Sequence, residues 1–222
     1  MHLDHLTLHA RDLGAQRDFY AGTLGLNLLE DTPQHVTVQV GASRVTFVHD
    51  PAHAAFSHFA LDIPRTLVDG AQAWLGARVL LLADADGRTC FGPNARWNTT
   101  NVYFDDPAGN IVEFIARHDR PHDHAGFFGP QHVLHLSEYG VVVRDVPAAV
   151  RRLGEERGIF PFNGQSDTFT AVGSHDGMLI VVPAGRGWMP DGRPAVPAPF
   201  TLAWDGGRTL TAEDTVVAGA PG

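Results

Sequence analysis

The stretch "YFDDPAGNIVEF", residues 103–114, places a carboxylate where an apolar side chain belongs. An Asp-Pro-Ala-Gly-Asn turn opens an apolar run, Ile111, Val112, Phe114 and Ile115, that reads as a buried strand. Glu113 stands inside that run. On a strand, residues 111, 113 and 115 share one face, so Glu113 points the same way as two isoleucines. A buried, unpaired charge is costly, and a carboxylate in such a place is paired, protonated or bound to a metal.

Working outward, this strand closes a set. "SHFALDI" reads as a strand, "RTLVDGAQAWLGAR" as a helix, and "VLLLAD", "TNVYFDD" and "NIVEFIAR" as three further strands. The same order precedes it. "LDHLTLHA" (3–10) alternates like a half-buried strand, and Asp12 caps a helix over "LGAQRDFYAGTLG" that Gly25 stops. "LNLLE", "HVTVQV" and "SRVTFVHD" complete that copy, with a short Gly41-Ala42 turn between the last two. A third copy begins with "SEYGVVVRDV" and the helix "PAAVRRLGEERG", followed by a hairpin over "TFTAVGSHDGMLIVVP".

An internal repeat sets the architecture. The expected fold is therefore α+β, built of tandem βαβββ repeats. Residues 1–117 are expected to pair as a metal-binding cup, 118–135 to form a His-, Gly- and Pro-rich linker, and 136–222 to carry an appended third repeat. Its tail, from "GRGWMPDGRPAVPAP" onward, reads as irregular, with disorder in the last ten or so residues. Trp188 in that tail is expected to pack on the third sheet, with closure of a pocket over a substrate as the alternative. A third copy without a mate would leave an open sheet, so a homodimer is expected.

Sixteen basic residues against 25 acidic ones give a net charge of −9 with no basic run, which argues against nucleic acid or an anionic membrane as partner. Cys90 is the sole cysteine, so a disulfide framework and a thiolate metal site are excluded. No leader pattern and no long apolar run occur, and a cytoplasmic location is expected. Any metal must be held by Asp, Glu and the 13 histidines.

The repeat register supplies candidates. Aligned on a shared Arg-Asp, the first strands place His5 opposite Glu138, and His58 falls at the same register in the second copy. The last strands bring Thr46, Glu113 and Ile180 into line. If copies one and two face each other about a pseudo-two-fold axis, His5, His58 and Glu113 converge as two imidazoles and a carboxylate. That donor set suits Fe(II), Mn(II), Co(II), Ni(II) or Zn(II). For Glu113 alone, an ion pair with an arginine explains the position as well. Glu138, with Ile180 opposite in its own copy, is not expected to serve a second metal site.

Three motifs, "DHLTLHARDLGAQRDFYAGTLGL" (4–26), "HFALDI" (58–63) and "YFDDPAGNIVEF" (103–114), resemble the vicinal oxygen chelate superfamily, which includes glyoxalase I, fosfomycin-type thiol transferases, bleomycin-binding proteins and extradiol dioxygenases. The resemblance covers residues 1–117. It implies a divalent metal held by His5, His58 and Glu113, and a small substrate that chelates it through vicinal oxygens. Thr46 stands where glyoxalase I has a fourth ligand, which weighs against that enzyme. Tyr103, ten residues before the glutamate, matches a catalytic tyrosine of extradiol dioxygenases, although the histidine expected upstream is replaced by Asn94, Asn98 and Asn101. The dioxygenase class is thus marginally ahead. A glyoxalase-like isomerase, a thiol transferase or a metal-free antibiotic-binding protein are the alternatives.

Overall fold

The computed structural model describes residues 1–93 and 95–215; Asn94 and the end of the tail, for which disorder was expected, lie outside the described residues. The first copy runs β1 (Leu3–Ala10), α1 (Leu13–Arg17, continuing as a π-helical turn over Asp18–Thr23), β2 (Leu28–Asp31), β3 (His35–Val40) and β4 (Ser43–His49). Asp12 caps α1 by accepting from the Ala15 amide at 2.9 Å. The second runs β5 (His58–Asp62), α2 (Val68–Gly76), β6 (Cys90–Phe91), β7 (Thr99–Asp105) and β8 (Ile111–Arg117). The third supplies β9 (His135–Val143), α3 (Val146–Arg157), β10 (Thr170–Ser174) and β11 (Gly177–Pro183). The α+β class and the repeated βαβββ order are those expected from the sequence.

The stretch "VLLLAD" is not a strand. Leu80 is 87% exposed, and Leu81 makes a single bridge to Phe104, so that edge of the second sheet is filled by the short β6 instead. The tail differs more. It forms β12 (Phe200–Trp204), β13 (Arg208–Thr211) and α4 (Ala212–Thr215). Phe200, Leu202 and Trp204 alternate inward, and Asp205-Gly206-Gly207 turns the chain back, with all three residues at positive φ.

The pairing of copies is the main correction. Copy one does not pair with copy two. β5 lies antiparallel to β9, with Ala60 opposite Glu138, which joins the second sheet to the third. β1 lies antiparallel to β12, with Thr7 opposite Thr201, so the tail mates with the first copy. β1 touches β9 at one position, Leu3 opposite Leu136. Two half-barrels result, β2-β3-β4-β1-β12-β13 and β6-β7-β8-β5-β9-β11-β10, fused in one 13-stranded sheet among the described residues. The reason is edge chemistry: an unpaired central strand exposes a row of backbone donors and acceptors, and the apolar alternation of β12 lets the tail satisfy β1. The third copy is consequently not without a mate.

Candidate metal centre

The second half-barrel assembles the site. β5 runs parallel to β8 with Ala60 opposite Glu113, and antiparallel to β9 with Ala60 opposite Glu138. His58 is two residues from Ala60 on β5, so strand alternation aims His58, Glu113 and Glu138 into one concave face. One ligand-capable atom from each lies within 4.8 Å of the others, and all three side chains are buried. His5 is not among them. It lies in the other half-barrel, where its Nε2 meets the Thr46 hydroxyl at 2.7 Å. The register reading groups His5 with His58 and Glu113; the structure instead brings Glu138 beside those two and leaves His5 in the other half-barrel.

The surroundings explain why Glu113 tolerates burial. Asn101, on the neighbouring β7, donates its amide to Glu113, and Tyr103 sits directly opposite Glu113 in the β7–β8 ladder. The arginine that could have answered for Glu113 pairs elsewhere. Arg117, 1% exposed, donates to Glu138 Oε1 at 2.5 Å and to the Ser137 hydroxyl through Nε and Nη2 at 3.1 and 3.0 Å. Burial, and then the Glu138 charge, push the Glu113 carboxyl well above its ordinary range. Burial and the two carboxylates also raise the Tyr103 phenol, which stays a protonated donor.

His58 tests whether a metal fits. Its Nδ1 lies 3.1 Å from the Ile111 carbonyl, which can accept but not donate, so Nδ1 carries the proton. Burial lowers the ring's pKa to about 4, leaving it neutral near pH 7. The Nε2 lone pair therefore faces Glu113 Oε2 at 3.5 Å, electron pair toward carboxylate oxygen. A proton or a cation relieves that contact. A carbonyl-anchored imidazole beside two carboxylates is a donor set able to hold a divalent ion. The donor set fits the group.

Above these side chains lies a cavity of about 290 Å³ with aromatic walls, Phe91, Trp97, Tyr103, Phe169 and Trp188. Trp188 is not merely packed on the third sheet. Its ring centroid is 4.8 Å from that of His58, and it separates this cavity from a second one of about 280 Å³ beside Phe56, Tyr139 and Pro199. Gly140 permits this: a β-carbon there would lie 2.7 Å from Trp188 Cη2 and 3.2 Å from the His58 carbonyl. The loop carrying Trp188 is tied to the β7–β8 turn by Arg193, which donates to both Asp105 oxygens at 3.0 and 2.9 Å and to the Gly109 carbonyl at 2.9 Å.

Glu138 is the residue of this group that sequence reasoning set aside, whereas Trp188 takes the pocket-closing place that was its alternative. Glu138 carried the same signal as Glu113, an acid inside "LSEYGVVV", but was set aside because Ile180 stood in the position matching Glu113.

The sequence model of the Glyoxalase/Bleomycin resistance protein/Dioxygenase superfamily matches residues 2–160. The chain belongs to this superfamily. No curated protein sequence matches the chain. Among solved structures, this superfamily member is similar to a "putative dioxygenase" of Bacillus subtilis, at 18% identity and a TM-score of 0.61 over 82% of this chain and 63% of that one. It is also similar to a single-residue variant of glyoxalase I from Zea mays, at 16% identity and a TM-score of 0.56 over 82% of this chain and 66% of that one. The chain thus spans slightly under two thirds of either protein, and at these identities the likeness shows the fold. Among the described residues no helix is long and apolar enough to cross a membrane.

Proposed function

We propose that this protein is a divalent-metal-dependent enzyme for a small substrate with two vicinal oxygens, of the ring-cleaving dioxygenase kind, with His58, Glu113 and Glu138 as ligands. The observation that carries the reading is the convergence of three buried ligand-capable side chains at the floor of an aromatic-walled cavity. Flat aromatic walls suit a planar diol, which places the dioxygenase reading first.

A divalent ion held by these residues would supply Lewis-acid stabilisation to negative charge developing on the substrate oxygens. The chain's own groups do the rest. Asn101 and Arg117 fix the two carboxylates before anything binds. Tyr103 offers a phenolic proton toward a substrate oxygen. Trp188 shields the His58 side from water.

A second reading rests on the donors. One imidazole with two carboxylates is harder than the two-imidazole facial triad of iron oxygenases, and it suits manganese or another metal working without redox change. That would favour a glyoxalase-like isomerase or thiol transferase.

Metal content of untagged protein by mass spectrometry, beside Glu113→Ala, tests the proposal. Near-stoichiometric metal that is lost in the variant is expected. No metal in the wild type after reconstitution would sink the reading and favour a metal-free binding protein. Oxygen uptake with catechols then separates the two enzymatic readings: uptake supports ring cleavage, and its absence with iron loaded supports the isomerase or transferase. A homodimer rests on the sequence argument alone, whose motive, an unmated third copy, is gone; a monomeric mass by light scattering would retire it.

A further inference from the structure

Arg186 is the cation in the cavity that the ligand set does not use. It sits on the loop before Trp188 and lines the same cavity as His58, Glu113 and Glu138. Its guanidinium lies 5.0 Å from the Phe169 ring centroid and 5.8 Å from that of Trp188. The arginines that hold the ligand set and the lid have carboxylates: Arg117 has Glu138, and Arg193 has Asp105 and Asp191. Among the described residues no carboxylate lies within 4.0 Å of the Arg186 guanidinium, and no hydrogen bond from it is formed.

A half-buried guanidinium without a counter-ion has surrendered part of its hydration and gained no partner in return. The desolvation is strong enough to lower its pKa, against a raising influence from Tyr103. Its aromatic neighbours hold the plane of the fork and contribute attraction through their faces, but they leave its N–H donors unanswered. Charge leads to the same conclusion. With a divalent ion bound, the two carboxylates cancel that ion, and Arg117 and Arg186 leave the site doubly positive. A ligand that brings one charge through its chelating oxygens and one more elsewhere would neutralise it.

Resting on the chelation reading, we infer that the substrate is an anionic one: a planar, aromatic-sized carboxylate whose vicinal oxygens face His58, Glu113 and Glu138 and whose carboxylate is received by Arg186. The planar fork of Arg186 binds a carboxylate through two parallel N–H···O bonds, between Phe169 and Trp188, and so sets which end of the substrate enters first.

Binding, measured by calorimetry under nitrogen, tests this. The probes are catechol, 2,3-dihydroxybenzoate and 3,4-dihydroxybenzoate with manganese-loaded protein, and benzoate with metal-stripped protein. At least one dihydroxybenzoate is expected to bind about tenfold or more tightly than catechol, as charge-assisted hydrogen bonding allows. In Arg186→Gln that ratio is expected to fall below about threefold, and in Arg186→Lys, which keeps the charge without the fork, to lie between. Benzoate is expected to bind wild type weakly and to lose binding in Arg186→Gln. Equal affinity of catechol and both dihydroxybenzoates for wild type, or an advantage that survives Arg186→Gln, would overturn the inference. Should no diol bind the manganese-loaded protein while benzoate still binds through Arg186, the chelation reading fails and the anion subsite stands.

Discussion

The two half-barrels share a backbone plan and, at three equivalent positions facing their concave sides, differ in two side chains. In one, β1 carries His5, with Thr7 opposite Thr46 on β4 and Thr201 on β12. In the other, β5 carries His58, with Ala60 opposite Glu113 on β8 and Glu138 on β9. Position for position, His5, Thr46 and Thr201 stand where His58, Glu113 and Glu138 stand. The first cup keeps the imidazole but has hydroxyls for both carboxylates. It spends that imidazole on a polar chain, His5 to Thr46, Thr46 to Thr37 at 2.8 Å, and Thr37 donating to Glu30 at 3.1 Å. A neutral hydroxyl is a poor ligand for a divalent ion, so equal geometry does not imply equal chemistry. The second cup also has a mate with its own helix and a lid, whereas β12 and β13 give the first cup only a two-stranded partner.

Among the residues on which this view and the pairing expected on sequence disagree, the largest effect should follow from Glu138. In Glu138→Ala, metal affinity is expected to drop by more than the 10–100-fold typical of losing an outer partner. Thr201→Ala, its counterpart, should leave metal content at the wild-type value. Chelator competition followed by mass spectrometry measures both. Retention of wild-type affinity in Glu138→Ala would break the comparison.

Arg117 comes next and is read by stability. Arg117→Met strands the buried Glu138 charge and is expected to cost about 3–5 kcal/mol in metal-free protein by denaturant unfolding. The double variant Arg117→Met/Glu138→Met removes both charges and should recover most of that loss. Additive losses would mean that Arg117 serves packing rather than charge.

Most of this architecture was legible in the sequence, because each copy repeats the same alternation and helix signals. The Asp-Pro-Ala-Gly-Asn turn and Glu113 located the strand that carries the site. What could not be read was which copy meets which. Every copy offers a similar first-strand edge, and the register that equates His5 with His58 is the same whichever way the copies pair. The choice turned on "FTLAW" and "GGRTL", hidden in a tail whose prolines and glycines suggested irregular chain. The alternation of Phe200, Leu202 and Trp204 was the signal that could have revealed β12 and, through it, the mate of β1. Arg117 was invisible for a different reason: an arginine at a strand end normally meets solvent, and its burial depends on β9 lying across it.

A smaller effect is expected where the lid meets the sheet. Gly140→Ala places a β-carbon 2.7 Å from Trp188 Cη2, and the ring cannot retreat without disturbing its contact with His58. Overpacking of this kind costs about 1–3 kcal/mol. Trp188 fluorescence should shift with it, and diol binding should weaken more than metal binding. An unchanged emission spectrum would show that the loop moves freely, so that the closed second cup owes nothing to Gly140.

The smallest effect belongs to His5, and its smallness is informative. His5 satisfies the register argument as well as His58 does, and sequence alone gives it the same role. In the fold, however, its Nε2 is engaged with Thr46, and burial and Arg44 lower its pKa, so it is a neutral hydrogen-bonding partner at a half-exposed position. His5→Ala should cost about 1 kcal/mol, the net worth of such a bond, and leave metal content and diol affinity at wild-type values. His58→Ala should abolish metal binding. The pair is therefore a direct contest between register and pairing: two histidines at one repeat position, distinguished only by the strands that lie beside them. Loss of metal in His5→Ala with retention in His58→Ala would reverse the assignment of cups. The expected asymmetry would instead show that a repeat position becomes a ligand only when its own last strand and its mate's first strand each bring a carboxylate.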